Sequence, residues 1–542
     1  MDERFDFTTS TNITERYFLP ALAALSILML ACTIFYPFGY DQATFNVGGE
    51  MILKHAAIPY RDFLDTKPPL IFYIYALATL IFGHHEWSIR SLDILYQLGA
   101  SIYLFAILRR YVSGSVALLA VCALLLQYVG TGFWHTAQAE SFALLPSLVL
   151  LDVTSRLKES GRSRAFLLGV IAGLASAALF LLKFTLILGM AGAAIYVLLL
   201  HNIGGKTKFK YLIGSAISFF VLLGGYVLFL YFTGSLGRFL ESLQWVSNYA
   251  SIDPLFGRRT ISDQYFTLFP SRLISTTTLT FFLLGCVGLA RYSLSLIRRL
   301  PMFGLFALTW GTQLLGVLAE RKMFPYHYVR AMWAFSPFIA IGCIDVIKIG
   351  KDLWRKIAQA DTLPRIVGTL LFLVISFAAL FYSPAVKLFS QSIPWARIAI
   401  EHKDPRIEVH ERIGDYYADE QYATGEYLKQ HTTNSDRLFV WGNDMGVYFY
   451  ANKLPPTFCL TATPLRTSWT PQSWRDEMMR ELAAARPRYF VSEFGDSKEY
   501  ITGSPRDSYQ AFLAWPELHD FVTTNYVEDT TIGHYKIFRR IV

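Results

Sequence analysis

The sequence predicts a polytopic α-helical membrane protein with about eleven transmembrane helices, followed by a C-terminal exported α/β domain. Of its 542 residues, 53% are hydrophobic and only 17% are charged, which is far more apolar than a soluble protein of similar length. The apolar residues also fall into blocks of about 17 to 23, the length of helix that crosses ~30 Å of hydrocarbon. The lipid bilayer is therefore the first partner that the sequence implies.

The apolar blocks give the positions of the predicted spans. The first block follows a polar start and lacks a small-x-small cleavage site, so we expect a retained anchor rather than a signal peptide. The spans are predicted at residues 17–36, 89–108, 112–131, 141–153, 165–182, 184–200, 211–233, 274–296, 301–318, 329–347 and 364–381. Together they place residues 1–382 in a transmembrane domain.

Basic residues in the short loops indicate the orientation of the chain. With eleven spans they alternate to one side, which the positive-inside rule assigns to the cytoplasm. Residues 68–83 are also apolar, but they are short and begin with Pro-Pro, and a crossing there would move nearly all basic loops outside. We therefore predict an interfacial helix for that stretch. The cytoplasmic basic residues are Arg109, Arg110, Arg156, Lys158, Arg162, Arg164, Lys206, Lys208, Lys210, Arg298, Arg299, Lys348, Lys351, Arg355 and Lys356.

The outer side receives four loops, at residues 37–88, 132–140, 233–273 and 320–328, together with the tail from about residue 383. The net charge of +8 comes with no basic stripe interleaved with aromatic residues, so no nucleic-acid partner is predicted. Four of the five cysteines lie in predicted spans and only Cys459 lies in the tail. That distribution argues against a disulfide framework or a cysteine metal site.

The tail, residues 383–542, has a different composition from the rest of the chain. Strand-like runs at 437–441, 488–492 and 534–538 alternate with helical stretches such as 474–484, which predicts a small α/β domain with a partly parallel sheet. It contains no glycine-rich phosphate loop and no nucleophile elbow. We assign no chemistry to it from sequence and expect it to bind or shield.

The first outer loop, residues 37–88, concentrates acids and bases at the membrane surface. Asp41 comes directly after the first span and opens an amphipathic run that is typical of an interfacial helix. The loop continues with Pro-Tyr-Arg-Asp-Phe-Leu-Asp-Thr-Lys-Pro-Pro-Leu over residues 59–70 and with Phe-Gly-His-His-Glu-Trp-Ser-Ile-Arg-Ser-Leu-Asp over residues 82–93.

This block resembles the pattern of glycosyltransferase family 39 in the GT-C superfamily, which includes protein O-mannosyltransferases and the aminoarabinose transferase of lipid A. The resemblance covers residues 17–345 and is strongest over residues 41–90. It implies a GT-C fold and an inverting transfer of a sugar from a polyprenyl-phosphate donor to a hydroxyl of an envelope acceptor, which could be a glycolipid, a polysaccharide or a protein. It also implies a bacterial inner membrane, with the active site and the tail on the periplasmic face.

The resemblance assigns chemical roles to particular residues. Asp41 occupies the position of the general base that takes the acceptor proton, and Gln42 stands where the family has a second acid. The leaving phosphate needs cationic groups, for which the candidates are Lys67, Lys183, Arg321 and Lys322. The alternatives are a solvated cap for Asp41 and a snorkelling lysine for Lys67. Lys183 lies between two apolar runs, so it should require an anionic partner.

The other outer loops supply the remaining candidates. Glu140 stands where GT-C enzymes place another acid facing the site, the alternative being a helix N-terminal acid. The loop at 320–328 could grip the donor phosphate or stack on a sugar, but for Tyr326 and Tyr328 an interfacial aromatic belt is the better interpretation. With Asp41 and His135 or His327, Glu140 could also bind a divalent cation, although the chain gives no firm sign of a required cofactor. The substrate-binding candidates are Arg61, Asp65, Gln138, Tyr326 and His327.

Other function classes remain open from the sequence. A transporter or flippase of lipid-linked sugars would share the many spans and the outer basic residues, but the sequence lacks an inverted repeat with broken helices and its ionisable groups collect on one face. A polymerase or ligase of surface polysaccharide is a third alternative, which would be favoured if the Lys-Pro-Pro block does not contact the donor. A purely structural membrane protein is disfavoured, because a loop this rich in acids and bases costs solvation energy.

Overall fold

The computed structural model of the protein describes residues 17–159, 162–201, 203–252, 264–295, 301–359, 362–382, 401 and 417–541. The basic pair Arg298 and Arg299 and the predicted domain boundary at residue 383 lie outside these residues. The chain divides into two compact units. The bundle unit contains Met1–Ile34, Leu92–Leu222 and Tyr265–Arg397, and the loop–tail unit contains Phe35–Ser91, Leu223–Gln264 and Ile398–Val542. The division at residue 382 proposed from the sequence stays a prediction.

Helices account for most of the described residues up to 382. In chain order they are α1 (Leu19–Cys32), α2 (Tyr40–His55), α3 (Leu70–Phe82), α4 (Glu86–Leu108), α5 (Gly114–Val129), α6 (Ala139–Phe142), α7 (Leu144–Ser155), α8 (Arg162–Leu182), α9 (Leu188–Leu199), α10 (Gly205–Phe232), α11 (Leu236–Ser251), α12 (Phe269–Thr277), α13 (Leu279–Ser295), α14 (Pro301–Glu320), α15 (Val329–Gln359) and α16 (Thr362–Phe381). Each of the eleven predicted spans coincides with one or two of these helices.

The helices that could cross a membrane can be counted by length and composition. Six of the described helices qualify one by one, and the count reaches eight if each of two bent pairs is taken as one span. In the second of these pairs, α12 and α13 meet at a bend of 99°. Helices α3, α5 and α9 are apolar but shorter. Several apolar helices agree with a membrane protein, and the total of eleven crossings and the interfacial place of α3 stay predictions.

The bundle unit is held together by close helix contacts. Gly342 on α15 lies so near α13 that a Cβ placed on it would be 1.8 Å from the carbonyl oxygen of Leu284. A Cβ on Gly288 of α13 would be 2.0 Å from the carbonyl oxygen of Phe338. Small residues at both positions let the two backbones touch, which is how helices pack well in a bilayer. Trp333 and its neighbours fill the core beside this contact.

The tail folds around a four-stranded sheet. Its helices and strands are α17 (Ala418–Gln430), β1 (Leu438–Trp441), α18 (Gly446–Tyr450), α19 (Gln472–Ala485), β2 (Tyr489–Glu493), α20 (Glu499–Thr502), α21 (Ser508–Leu513), α22 (Pro516–Asn525), β3 (Tyr526–Ile532) and β4 (Tyr535–Arg540). The strand order is β1-β2-β4-β3. Strands β1 and β2 are parallel, whereas β4 runs antiparallel to both β2 and β3. The sheet is thus partly parallel, and β1, β2 and β4 match the three predicted runs.

Strand β3 was not predicted, and its burial explains why. Its sequence Tyr-Val-Glu-Asp-Thr-Thr-Ile buries only the first residue fully, because it is the edge of the sheet. An edge strand with charged, exposed side chains lacks the apolar alternation that marks a strand in sequence.

The loop–tail unit joins segments that are far apart in the chain. The backbone N–H of Leu64 donates to the carbonyl of Phe458 over 2.7 Å. Arg238 on α11 donates to the carbonyl of Arg61 over 2.9 Å and pairs with Glu477 at 2.5 Å. The first outer loop is therefore bonded directly to the tail and to α11.

Candidate functional sites

The first candidate site lies at the start of α2, in the loop–tail unit. Asp41 is in the first turn of this helix, and its Oδ1 lies 3.0 Å from Nζ of Lys67. Both side chains are about one quarter exposed, at 26% and 25%. Gln42 caps the helix, because its Oε1 accepts from the backbone N–H of Gly39 over 3.0 Å. Gln42, which stands where the resembling family has a second acid, therefore stabilises the N-terminus of α2.

The loop around Lys67 is fixed by its own hydrogen bonds. Tyr60 donates its hydroxyl to the carbonyl of Lys67 over 2.7 Å, and the backbone N–H of Lys67 donates to Oδ1 of Asp65 over 2.8 Å. The ammonium lies 4.7 Å from the ring centroid of Phe45. Burial raises the pKa of Asp65, while Lys67 acts in the opposite direction. Asp65 thus shapes the loop that brings Lys67 to Asp41.

Arg61 is placed differently from the other candidates in this loop. It is exposed and donates two hydrogen bonds to the adjacent Asp62, over 2.9 and 2.7 Å. Its backbone carbonyl accepts from Arg238. The described contacts of Arg61 thus lead to Asp62 and to α11.

The second candidate site is a buried charge cluster in the bundle unit. Nζ of Lys183 lies 2.5 Å from Oε1 of Glu140 and 2.8 Å from Oε2 of Glu320. Nη2 of Arg330 lies 3.1 Å from Oε1 of Glu140 and 2.5 Å from Oε1 of Glu320. The two cations and two carboxylates alternate, so the cluster balances its formal charge. Charges buried in a helix bundle need such pairing, because an unpaired one is expensive.

Helix ends deliver all four of these side chains. Glu140 is in the first turn of α6, Glu320 is the last residue of α14 and Arg330 is the second of α15. Lys183 follows the end of α8 in an extended conformation, at φ −162° and ψ 128°. The prediction that Lys183 needs an anionic partner agrees with its contacts, and both partners are carboxylates of the protein.

Two further residues line the cluster. Thr185 accepts from Nη1 of Arg330 over 2.8 Å and donates to Glu320. Nδ1 of His327 lies 3.0 Å from Oε2 of Glu320. The ligand atoms of Glu140, Glu320 and His327 all lie within 4.8 Å of one another, a donor set that suits a divalent cation. Lys183 and Arg330 already neutralise both carboxylates, so the set is not arranged around a vacant cation position.

The other predicted site residues of the bundle unit differ in burial and in their contacts. The ring of Tyr326 lies 5.4 Å from Nζ of Lys183, and Gln138 donates to the carbonyl of Trp134 over 3.1 Å. Lys322 is buried at 4% exposure. Arg321 is exposed and has a positive φ of 60°.

Arg330 and Glu320 were not among the predicted site residues, although they complete the cluster. The available signal was an arginine at the second position of an apolar helix, since an ionisable residue in such a segment is a functional-site hypothesis by default. Arg321 and Lys322 were predicted as phosphate-binding residues instead, because they lie in the loop itself.

A third polar cluster lies in the tail, at the carboxyl ends of the parallel strands β1 and β2. Glu493 ends β2 and accepts from the backbone N–H of Asn443, just after β1, over 2.7 Å. Burial raises the pKa of Glu493 to about 8 and that of Asp444 to about 6. No sequence motif marks this cluster, because it forms only when two strands that are distant in the chain become neighbours.

Comparison with known proteins adds independent findings. Residues 66–225 match the family model described as Dolichyl-phosphate-mannose-protein mannosyltransferase. No curated protein sequence matches the chain significantly. The fold resembles that of ArnT from Cupriavidus metallidurans bound to undecaprenyl phosphate, with a TM-score of 0.61 and 12% identity over 98% of this chain and 99% of that chain.

Two more solved structures are similar. The same ArnT in the apo state gives a TM-score of 0.61 and 12% identity over 97% of this chain and 98% of that chain. The oligosaccharyltransferase AglB from Archaeoglobus fulgidus, in complex with an inhibitory peptide and a dolichol-phosphate, gives a TM-score of 0.48 and 11% identity over 97% of this chain and 75% of that chain.

The family match and the structural similarity agree in part: residues 66–225 carry the pattern of the dolichyl-phosphate-mannose-protein mannosyltransferases, and the fold is similar to that of ArnT. The resemblance to family 39 that the sequence indicated is thereby confirmed. The likeness to ArnT extends the fold over nearly the whole chain.

Proposed function

We propose that the protein is an inverting glycosyltransferase that moves a sugar from a polyprenyl-phosphate donor to a hydroxyl of an envelope acceptor, on the periplasmic face of a bacterial inner membrane. The observation that carries the proposal is the contact of Asp41 with Lys67, at 3.0 Å and open to solvent in part. A carboxylate and an ammonium side by side supply the two groups that the reaction needs. The lipid phosphate bound to the structurally similar ArnT supports this class of donor.

Asp41 is the proposed general base. Its carboxylate takes the proton of the acceptor hydroxyl while that oxygen attacks the anomeric carbon. The bond between the anomeric carbon and the phosphate oxygen breaks, and the electron pair leaves with the lipid phosphate. Attack from the side opposite the leaving group inverts the configuration. Lys67 compensates negative charge beside the reacting groups, as a preorganised cation does.

The bundle cluster is proposed to hold the donor phosphate. Lys183 and Arg330 are the cations of this cluster, and a phosphate could replace a carboxylate as their partner. Glu140 then orients Lys183 and Arg330, as its contacts at 2.5 and 3.1 Å allow. Arg321 and Lys322 are proposed as further phosphate contacts. The proposed sugar and acceptor contacts are Arg61, Asp65, Gln138, Tyr326 and His327.

The test compares Asp41→Asn with the wild type in lipid nanodiscs. Transfer from a set of radiolabelled polyprenyl-phosphate sugars into membrane acceptors should fall about 10²- to 10⁴-fold, the usual contribution of a general base, while donor binding is kept. Asp352→Asn is the control, since Asp352 is 64% exposed and pairs with the exposed Arg355, and neither residue is a proposed substrate contact. Equal transfer by wild type and Asp41→Asn would contradict the proposal.

A transporter of lipid-linked sugars is the second candidate, because the charge cluster at Lys183 is buried among helices, as charged sites in transporters are. An assay in liposomes loaded with donor distinguishes the transferase from the transporter. If the wild type moves the donor across the bilayer without transferring sugar, and Asp41→Asn does so equally well, the transporter replaces the transferase.

A further inference from the structure

Tyr40, the first residue of α2, is contacted by two side chains from the tail. Nζ of Lys498 lies over its ring, 3.5 Å from the centroid. Its hydroxyl donates to Oε1 of Glu493 over 3.3 Å. The ring face and the hydroxyl of Tyr40 are thus each engaged by a charged or polar group of the tail.

The two tail residues are themselves firmly placed. Glu493 is 3% exposed, and its second oxygen accepts from the backbone N–H of Asn443 over 2.7 Å. A Cβ on Gly442 would lie 2.5 Å from that oxygen, so the close approach of the two strand ends requires glycine there. Lys498 is half-buried, and the carboxylates of Glu493, Asp496 and Asp444 attract its ammonium. The ring face of Tyr40, with its centroid 3.5 Å away, is a direct contact of the same ammonium.

The remaining carboxylates near Glu493 are bound elsewhere. Asp444 accepts from Tyr535 over 2.5 Å. Asp496 accepts from Arg466 over 2.9 Å and from the hydroxyl of Ser508 over 2.7 Å. The strand-end cluster thus has its own internal partners, and Glu493 and Lys498 are the members that reach α2.

Tyr40 directly precedes Asp41, at a point where a helix is weakly held. The first N–H groups of a helix have no partner within the helix, so the first turn depends on side chains for its restraint. A fixed Tyr40 therefore restricts where the neighbouring carboxylate can go. Asp41 also contributes to the raised pKa of Tyr500, after burial, which agrees with the 498–500 segment facing the first turn of α2.

We propose that Lys498 and Glu493 are positioning residues for the transfer reaction, which hold Tyr40 and so set the direction in which Asp41 presents its carboxylate. This assignment rests on the proposed function of Asp41 as the base. With these two residues the tail would contribute to the transfer reaction itself, beyond the binding or shielding expected from the sequence. A displacement of about 1 Å in a reacting group can reduce a rate about 10²-fold, so a clamp on the neighbouring residue is enough to matter.

The kinetic test uses full-length protein in nanodiscs and compares Lys498→Met, Lys498→Arg and Tyr40→Phe. We expect Lys498→Met to lower kcat about 10- to 100-fold with KM for the donor little changed. Lys498→Arg should restore most of the rate, since a guanidinium also binds an aromatic face. Tyr40→Phe removes the bond to Glu493 and should lower kcat about 3- to 10-fold.

Lys536→Met is the matched control. Lys536 is also a tail lysine over a tyrosine ring, 5.1 Å from the centroid of Tyr509, and it pairs with Glu528 on β3. It should leave kcat unchanged. A rise in the donor KM at unchanged kcat in Lys498→Met, or failure of Lys498→Arg to restore the rate, would overturn the positioning role.

Hydrogen–deuterium exchange tests the clamp without any activity. Amides in the first turn of α2 should exchange faster in Lys498→Met than in the wild type, while those of β1 and β2 stay protected. Unchanged exchange at α2 would refute the clamp. If the wild type transfers no sugar from any donor, the proposed function and the catalytic role of the clamp fail together, and faster exchange would then show a contact of structural value alone.

Discussion

Arg330 and Glu140 are 190 positions apart in the chain, and Nη2 of the first lies 3.1 Å from Oε1 of the second. Both side chains are almost fully buried, at 0% and 1% exposure. Lys183 and Glu320 complete the arrangement, so each charge has two opposite neighbours. These four groups therefore form one connected network, and the loss of any member leaves a buried charge uncompensated.

Arg330→Met should destabilise the protein by about 3 to 5 kcal/mol, because it leaves Glu140 and Glu320 short of a partner in a buried place. The midpoint of thermal unfolding in detergent measures the effect. Arg355→Met is the control, since Arg355 is 72% exposed and paired with the exposed Asp352, and an exposed pair contributes within about 1 kcal/mol. Similar midpoints for the two variants would show that the network adds little.

Gly342→Ala should also lower the unfolding midpoint. The added methyl would be 1.8 Å from the carbonyl oxygen of Leu284, so α13 and α15 would have to separate, at about 1 to 3 kcal/mol or more. Gly311→Ala on α14 meets nothing within 4 Å and should be neutral or stabilising, because alanine favours helix by about 1 kcal/mol. An unchanged midpoint for Gly342→Ala would argue against the close crossing.

Glu493 should make the stability of the protein depend on pH. Burial, followed by the charge of Asp496, raises its pKa to about 8, whereas an unfolded glutamate titrates near ~4.3. Between these two pKa values the folded state keeps a proton that the unfolded state has released. The contribution of Glu493 to the free energy of unfolding is therefore complete below about pH 4, and it declines as the pH rises towards 8. The groups facing this carboxyl are Asp444, Asp496, Lys498, Tyr40 and Asn443.

Glu493→Gln cannot release that proton. Its free energy of unfolding should therefore gain on that of the wild type between pH 5 and 8, by on the order of a few kcal/mol at most. Glu528→Gln, at a half-exposed carboxyl of β3, serves as control and should give a curve parallel to the wild type. Parallel curves for Glu493→Gln as well would contradict the prediction.

Chelation should leave sugar transfer intact. A divalent cation at Glu140, Glu320 and His327 would have to displace Lys183 and Arg330, whose cationic groups lie 2.5 to 3.1 Å from the carboxylate oxygens, against strong repulsion at that range. Transfer measured with EDTA, then with added Mg²⁺ or Mn²⁺, should stay within about twofold. A large loss that metal restores would instead make those three residues ligands, which His327→Ala would then test.

The sequence by itself determined where the helices and most strands lie. Blocks such as 165–182 and 211–233 match α8 and α10, because a segment that must bury its backbone in hydrocarbon has to be apolar over its whole length. The runs that became β1, β2 and β4 were recognisable for a similar local reason. The need of Lys183 for an anion also followed from its apolar flanks.

Only the tertiary structure decided which residues meet. Arg330 finds Glu140 through the packing of helices, and Tyr40 finds Glu493 across 453 positions. The tertiary structure also decided that residues 37–88 group with the tail, and that Lys183 lies between two carboxylates rather than beside one. Apolar length and periodicity are properties of a segment, whereas a partner is a property of how segments cross, and a single sequence carries no direct record of that crossing.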